Sequence, residues 1–231
     1  VVLPSQPLAV YTIREPGLRP QSDQTLRLDN VSLQAARGAF VTAPPGFSPA
    51  DPDGLSMIVL QDVSNVTIVG GEVRMWKSDY NSLPQYNPPS STRMGIVLRN
   101  CSDIAVSGVT IVSTGGDGIY IGRNHKGRCD NQSTACHGVA RNVRIDNVRA
   151  LHNSRQGLSI VAGINITVSK SEFSRTQGAC PQAGIDLEPS SAAEPMHNIV
   201  LESVTCRNNT GAGIQIPLDP YTLLPGGLPV A

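Results

Sequence analysis

The chain has 231 residues, 18 basic and 18 acidic side chains, and 39% hydrophobic residues, a length that suits one domain. The balanced charge excludes the electrostatic footprint of a nucleic-acid binder or an anionic-membrane binder. Aromatics at 4% are low for a sandwich core, and 22 Gly with 18 Pro stay below the share of a disordered chain.

Residues 1–56 read as an irregular N-terminal segment. Within it Tyr11-Thr12-Ile13, Thr25–Leu28 and Val31-Ser32-Leu33 are candidate strands of incomplete first rungs. Ala43–Gly54 is a Pro-rich loop that cannot join a strand ladder. The chain opens without Met or a signal-like stretch, so a mature or excised piece is expected. No apolar run reaches the length of a membrane span.

Residues 57–216 repeat one short phrase. It stands as Gly95-Ile96-Val97-Leu98, Gly118-Ile119-Tyr120-Ile121, Gly157-Leu158-Ser159-Ile160, Gly184-Ile185-Asp186-Leu187 and Gly213-Ile214-Gln215-Ile216. Successive copies start 23, 39, 27 and 29 residues apart, and a loop-like insert of 16 residues, Arg123–Gly138, explains the long interval. A second alternation follows each phrase (Val66-Thr67-Ile68, Ile104-Ala105-Val106, Ile166-Thr167-Val168), and then a third (Val73-Arg74-Met75, Val109-Thr110-Ile111). Each has the period of a strand with one face buried. Three short strands per repeat are too little chain for hairpins with long strands, and no amphipathic stretch is long enough for a crossover helix. An irregular β-sandwich would not explain a threefold phrase kept in order. The remaining solution is all-β: a right-handed, single-stranded parallel β-helix, a solenoid with three short strands per rung. Trp76–Thr92 leaves the third strand as a long loop placed to overhang a face.

Residues 217–231 form a Pro-rich C-terminal segment with no further rung. Neither end shows an amphipathic capping helix, so the terminal segments fold over as caps or the coil is a section of something longer. End-to-end self-association is the matching partner expectation.

Five cysteines in a loop-rich chain favour an oxidising compartment. Cys129 and Cys136 flank DNQSTA with the spacing of a local disulfide, Cys180 and Cys206 lie about one rung apart, and Cys101 is left as a small buried residue. Of six Asn-x-Ser/Thr sequons, at Asn30, Asn65, Asn100, Asn131, Asn165 and Asn208, most fall where the repeat itself wants Asn. Asn131 in the insert is the best glycan candidate.

Stacking puts the variable residue of each phrase in one outer column: Val97, Tyr120, Ser159, Asp186, Gln215. Asp186 and Glu188, two apart on one strand, project the same way about 7 Å apart. That spacing suits an acid and a base, or a shared cation such as Ca2+. Arg155 is placed to hold a substrate carboxylate and His152 to move a proton, while Ser159, Gln215 and Tyr120 line the groove. Arg123, His125 and Lys126 in the insert are candidates for a lid. Asp117 reads as a turn former bonding its own backbone. His137 and His197 read as surface residues, no Cys/His spacing argues for a metal centre, and Gly115–Gly118 lacks the context of a phosphate cradle.

With GDGIYIG, RQGLSIV and AGIDLEP, the region from about Leu55 to Pro217 resembles the right-handed parallel β-helix repeat superfamily. Pectate lyases, polygalacturonases, alginate lyases, alginate epimerases and phage tailspikes belong to it. The resemblance implies a long polysaccharide lying along the outer face of a parallel sheet. Gly116-Asp117-Gly118 carries a single Asp where the hydrolase branch has an Asp pair, and Arg155-Gln156-Gly157 stands where its Gly-His-Gly turn is expected. That branch's mechanism therefore does not carry over, and the pectate-lyase calcium cluster is not recognisable. The resulting expectation is an extracellular or cell-surface carbohydrate-active protein with Asp186, Glu188 and His152 catalytic, acting by hydrolysis, β-elimination or epimerisation. The rivals are a non-catalytic structural or adhesive β-helix glycoprotein, a segment of a surface or filament assembly, and a glycan-binding module.

Overall fold

A computed structural model describes residues 9–14, 17–39, 55–81, 93–123, 138–189 and 194–217. The first strands are β1 (Ala9–Ile13), β2 (Thr25–Arg27) and β3 (Val31–Ala35). The next rung holds β4 (Ile58–Gln61), β5 (Ser64–Val69) and β6 (Glu72–Arg74), followed by a short helix, α1 (Lys77–Asn81). Then come β7 (Ile96–Arg99), β8 (Ser102–Ser107) and β9 (Thr110–Val112), and β10 (Ile119–Gly122), β11 (Ala140–Asp146) and β12 (Arg149–Leu151). The last are β13 (Gln156–Ile160), β14 (Gly163–Ser169) and β15 (Glu172–Ser174), and β16 (Ala183–Leu187), β17 (Met196–Glu202) and β18 (Ile214–Gln215).

Equivalent strands pair in parallel, giving three sheets of six: β4-β7-β10-β13-β16-β18, β2-β5-β8-β11-β14-β17 and β1-β3-β6-β9-β12-β15. The coil is therefore a parallel β-helix with three strands per rung. β1, β2 and β3 already belong to its sheets, β2 in register with β5 and β3 with β6.

The core is built from like residues stacked on like. Ile58, Ile96, Ile119, Leu158 and Ile185 form one buried ladder, and Leu60, Leu98, Ile121 and Ile160 another. No single rung buries its own apolar face, so each ladder is stabilised by its neighbours. The Gly of the repeated phrase sits at a corner with no room for a side chain. A Cβ on Gly95 would meet Ile111, on Gly118 Ala150, and on Gly157 Phe173, all residues of the third sheet turned into the core. At the corner before the second sheet, Asp23, Asn65, Asp103, Asn142, Asn165 and Asn198 share left-handed φ values of 52–61°, a conformation Asn and Asp tolerate. Asn142 donates to Asp103, Asn165 to Asn142 and Asn198 to Asn165 at 2.9–3.1 Å, so the turns are stitched along the coil axis.

The cysteines depart from expectation. Cys180 and Cys206 are free thiols: Cys180 is exposed in the turn before β16, whereas Cys206 is half-buried against the core, so the two face different surroundings. Cys101 is buried, and burial pushes its thiol up to about 12. The proposed Cys129–Cys136 disulfide, the Asn131 sequon, His125, Lys126 and His137 lie outside the described residues, as do residues 218–231. Among the described residues no helix is long and apolar enough to cross a membrane.

Candidate functional site

Pairing places Tyr120 beside Val97 and Ser159, Ser159 beside Asp186, and Asp186 beside Gln215, so the variable residues form one column on the first sheet. The column is not the open groove its polarity suggests. Val97, Ser159 and Asp186 are 0% exposed, and Val59, Met94 and Val97 make a small apolar cluster with Tyr120 packed against it. Farther along, Arg155 closes the face by lying across two carboxyl groups. Its Nη1 and Nη2 donate to Oε1 and Oε2 of Glu188 at 2.9 and 2.7 Å, and Nη1 also reaches Asp117 Oδ2 at 3.2 Å. Such a two-pronged pair combines charge with fixed geometry. Ser159 Oγ donates to Glu188 Oε1 at 2.6 Å, and Gln156 Nε2 donates to Asp186 Oδ2.

The two carboxyls act on each other, the charge of Glu188 being among the causes that raise the Asp186 carboxyl. β16 ends at Leu187, so Glu188 lies past the strand and is not held to its repeat distance. Asp186 Oδ1 is buried and has no hydrogen-bond partner. Burial first, and the charge of Glu188 second, raise the Asp186 carboxyl to about 6. Asp186 therefore keeps its proton up to about pH 6.

Asp117, expected to cap its own turn, is wholly buried and bonded instead to Arg155. Burial raises it to about 7 despite the opposing guanidinium. Gln156, also wholly buried, links Asp186 to Arg155, whose Nη1 donates to its Oε1. Simple alternation misses both residues. The Gly that follows each of them turns its own Cα toward the core, so Asp117 and Gln156 face outward with Tyr120 and Ser159. The readable signal was the backbone pairing of the two Gly positions, Gly118 N donating to Gln156 O at 2.9 Å.

Four of the seven expected residues, Asp186, Glu188, Arg155 and Ser159, meet in this network. Gln215 is half-buried beside Asp186 on the last rung. Tyr120 is half-buried under Arg99, whose guanidinium carbon lies 4.4 Å from the ring centre. His152 is not brought to the pair. It ends β12 with φ 58°, and its exposed ring meets Arg175 Nη1 at 3.4 Å. Burial, then Arg175, Lys77 and Arg74, lower its pKa. Arg123 pairs with the buried Glu194 at 2.7 Å.

A shared Ca2+ does not fit this arrangement, because a guanidinium already lies against Glu188 and Asp117. Among the described residues no group of three or more His, Cys, Asp and Glu side chains is arranged to hold a metal ion.

Comparison with known proteins agrees with the coil. The family model for the right-handed β-helix region matches residues 56–218. No curated protein matches the chain. A candidate glycosyl hydrolase from Parabacteroides merdae is 13% identical with a TM-score of 0.56, over 89% of this chain and 79% of its own. Pre-mature gene product 12 of bacteriophage phi29 is 12% identical with a TM-score of 0.53 over 91% of this chain, which spans 30% of that protein's length. At such identities the likeness is one of fold.

Proposed function

The chain belongs to the right-handed β-helix family, and we propose that it is a carbohydrate-active member that hydrolyses a polysaccharide at the Asp186–Glu188 pair. The observation that carries the proposal is the buried Asp186 carboxyl, raised to about 6, with Oδ1 unpartnered. A carboxyl kept protonated in this way can give a proton to a departing glycosidic oxygen. Glu188, which accepts hydrogen bonds from Arg155 and Ser159, is the partner that activates water. In glycosidases such carboxyls stand roughly 5–9 Å apart, and Glu188 lies just past the end of the strand that carries Asp186. Arg155 is already engaged by Glu188 and Asp117, which favours hydrolysis over elimination or epimerisation, where a uronate carboxylate needs its own countercharge. An extracellular or cell-surface location goes with a polymeric substrate.

The test is incubation with neutral and acidic polysaccharides. New reducing ends without the ultraviolet absorbance of unsaturated sugars, lost in Asp186→Asn, are expected. No product, or an unsaturated one, defeats the reading. A structural role for the network is the second reading, favoured by the complete burial of Ser159 and Asp186. It predicts that Asp186→Asn changes stability in a protein that turns over no glycan.

A further inference from the structure

The corner between the third and first sheets carries side chains that the carboxyl network does not use. Backbone bonds stack its positions: His152 N donates to Ser174 O at 3.1 Å and Arg175 N to Arg207 O at 3.0 Å. His152 and Arg175 both have left-handed backbone, φ 58° and 60°, and both side chains are exposed at the same corner one rung apart. Lys77, at the start of α1, reaches along this corner, its Nζ donating to the Gln177 carbonyl at 3.0 Å, two residues beyond Arg175. Arg175 Nη1 approaches His152 Nε2 at 3.4 Å. A guanidinium only donates, so Nε2 accepts and the ring proton of a neutral His152 sits on Nδ1, free to donate elsewhere.

The charge here is unbalanced in a way the rest of the face is not. Arg37 pairs with Asp79, Arg74 with Glu72, and Arg149 and Arg207 with Glu172, at 2.8–3.2 Å. Lys77 and Arg175 have no carboxylate partner among the described residues. Every charge that perturbs His152 is a cation: Arg175, Lys77 and Arg74. Only three residues separate His152 from Arg155, so the corner lies within about 10 Å of the carboxyl network along the backbone.

We propose that Lys77, Arg175 and His152 form an oxyanion-binding subsite that takes a carboxylate or sulfate group of a polysaccharide. The ammonium and guanidinium supply charge-assisted donors and the imidazole a neutral one. The substrate class this implies, an anionic polysaccharide gripped at the corner next to the reacting face, rests on the carbohydrate-active reading above.

Trp76, the single Trp of the chain, precedes Lys77 and reports on this corner by its fluorescence. Polygalacturonate, dextran sulfate and unmodified dextran are titrated into the full chain at low and high salt. Saturable binding of a charged polymer that weakens with salt, and none of dextran, is expected. Which charged polymer binds tells carboxylate from sulfate. Lys77→Gln with Arg175→Gln raises Kd about tenfold or more, and the charge-conserving Lys77→Arg with Arg175→Lys retains most of the affinity. No binding of either charged polymer, equal binding of dextran, or an unchanged Kd in the double Gln variant overturns the subsite. Binding that depends on Lys77 and Arg175 without any turnover leaves the subsite standing and removes the hydrolase. Turnover with binding indifferent to both residues does the reverse.

Discussion

Arg155 grips Glu188, 33 residues on and on the next rung, through two parallel contacts, Nη1–Oε1 at 2.9 Å and Nη2–Oε2 at 2.7 Å. Among the described residues the same guanidinium is the only cation bonded to Asp117, whose side chain is wholly buried. Arg155→Met therefore leaves two carboxyls without a countercharge in a site only 18–20% exposed at its edge. Loss of one partner of a largely buried pair costs about 3 kcal/mol, readable in urea unfolding. Arg155→Met combined with Glu188→Gln recovers part of that loss. Additive losses would mean that the two side chains do not act on each other.

Asp186 makes folding depend on pH with a definite sign. Its folded-state pKa, about 6, lies above the ordinary 3.8, so the folded protein keeps a proton that the unfolded chain has released. Stability from this group is present below about pH 4 and is lost as pH rises through about 6. His152, with a lowered pKa, works in the opposite direction, so the comparison that isolates Asp186 is with Asp186→Asn. Relative to that variant, the parent loses melting temperature between about pH 4 and about pH 6 and then levels off. A difference that stays flat over the range removes the raised carboxyl.

Activity carries the same proton. If Asp186 is the acid, kcat/KM for a hydrolysed polysaccharide falls about tenfold per pH unit above about pH 6. Glu188→Gln removes a charge that raises Asp186 and shifts that limb to lower pH in the residual turnover. An unmoved limb excludes communication between the two carboxyls.

The coil was legible in the text because its signal is repeated: Ile and Leu return at the same place in each phrase, and register follows from them. Half of the site followed from that register, since Ser159 and Asp186 are neighbours once the rungs stack. The rest depended on local departures from alternation. Asp117 is aimed outward only because Gly118 faces the core, and Glu188 meets Arg155 and Ser159 from just past the end of β16. His152 precedes Arg155 by three residues, yet the chain rounds a corner between them and sends the two side chains to different faces.

Asn165 begins an Asn-Ile-Thr sequon, but its amide belongs to the ladder: Nδ2 donates to Asn142 and Oδ1 accepts from Asn198, both at 3.1 Å. A glycan on Nδ2 would replace a donor turned along the stack. Peptide mapping of protein from a glycosylating host is expected to find Asn165 unmodified, and Asn165→Ala to cost about 1–2 kcal/mol. An occupied Asn165 would show that the ladder opens in solution.

The Gly of the phrase is required by space at one rung and not at another. A Cβ on Gly157 would lie 2.6 Å from the Gly184 carbonyl oxygen and 2.7 Å from Phe173 Cβ, so backbone or core must move. At Gly213, the same position on the last rung, the nearest atom would be Cys206 Cβ at 3.4 Å, an ordinary contact. Gly157→Ala is expected to cost about 2–3 kcal/mol through overpacking, and Gly213→Ala to stay within about 0.5 kcal/mol. Chemical denaturation of the two variants side by side decides the matter, because propensity, chemistry and sheet are matched and only the room differs. Equal losses would mean that the phrase keeps its Gly for the backbone and not for the corner.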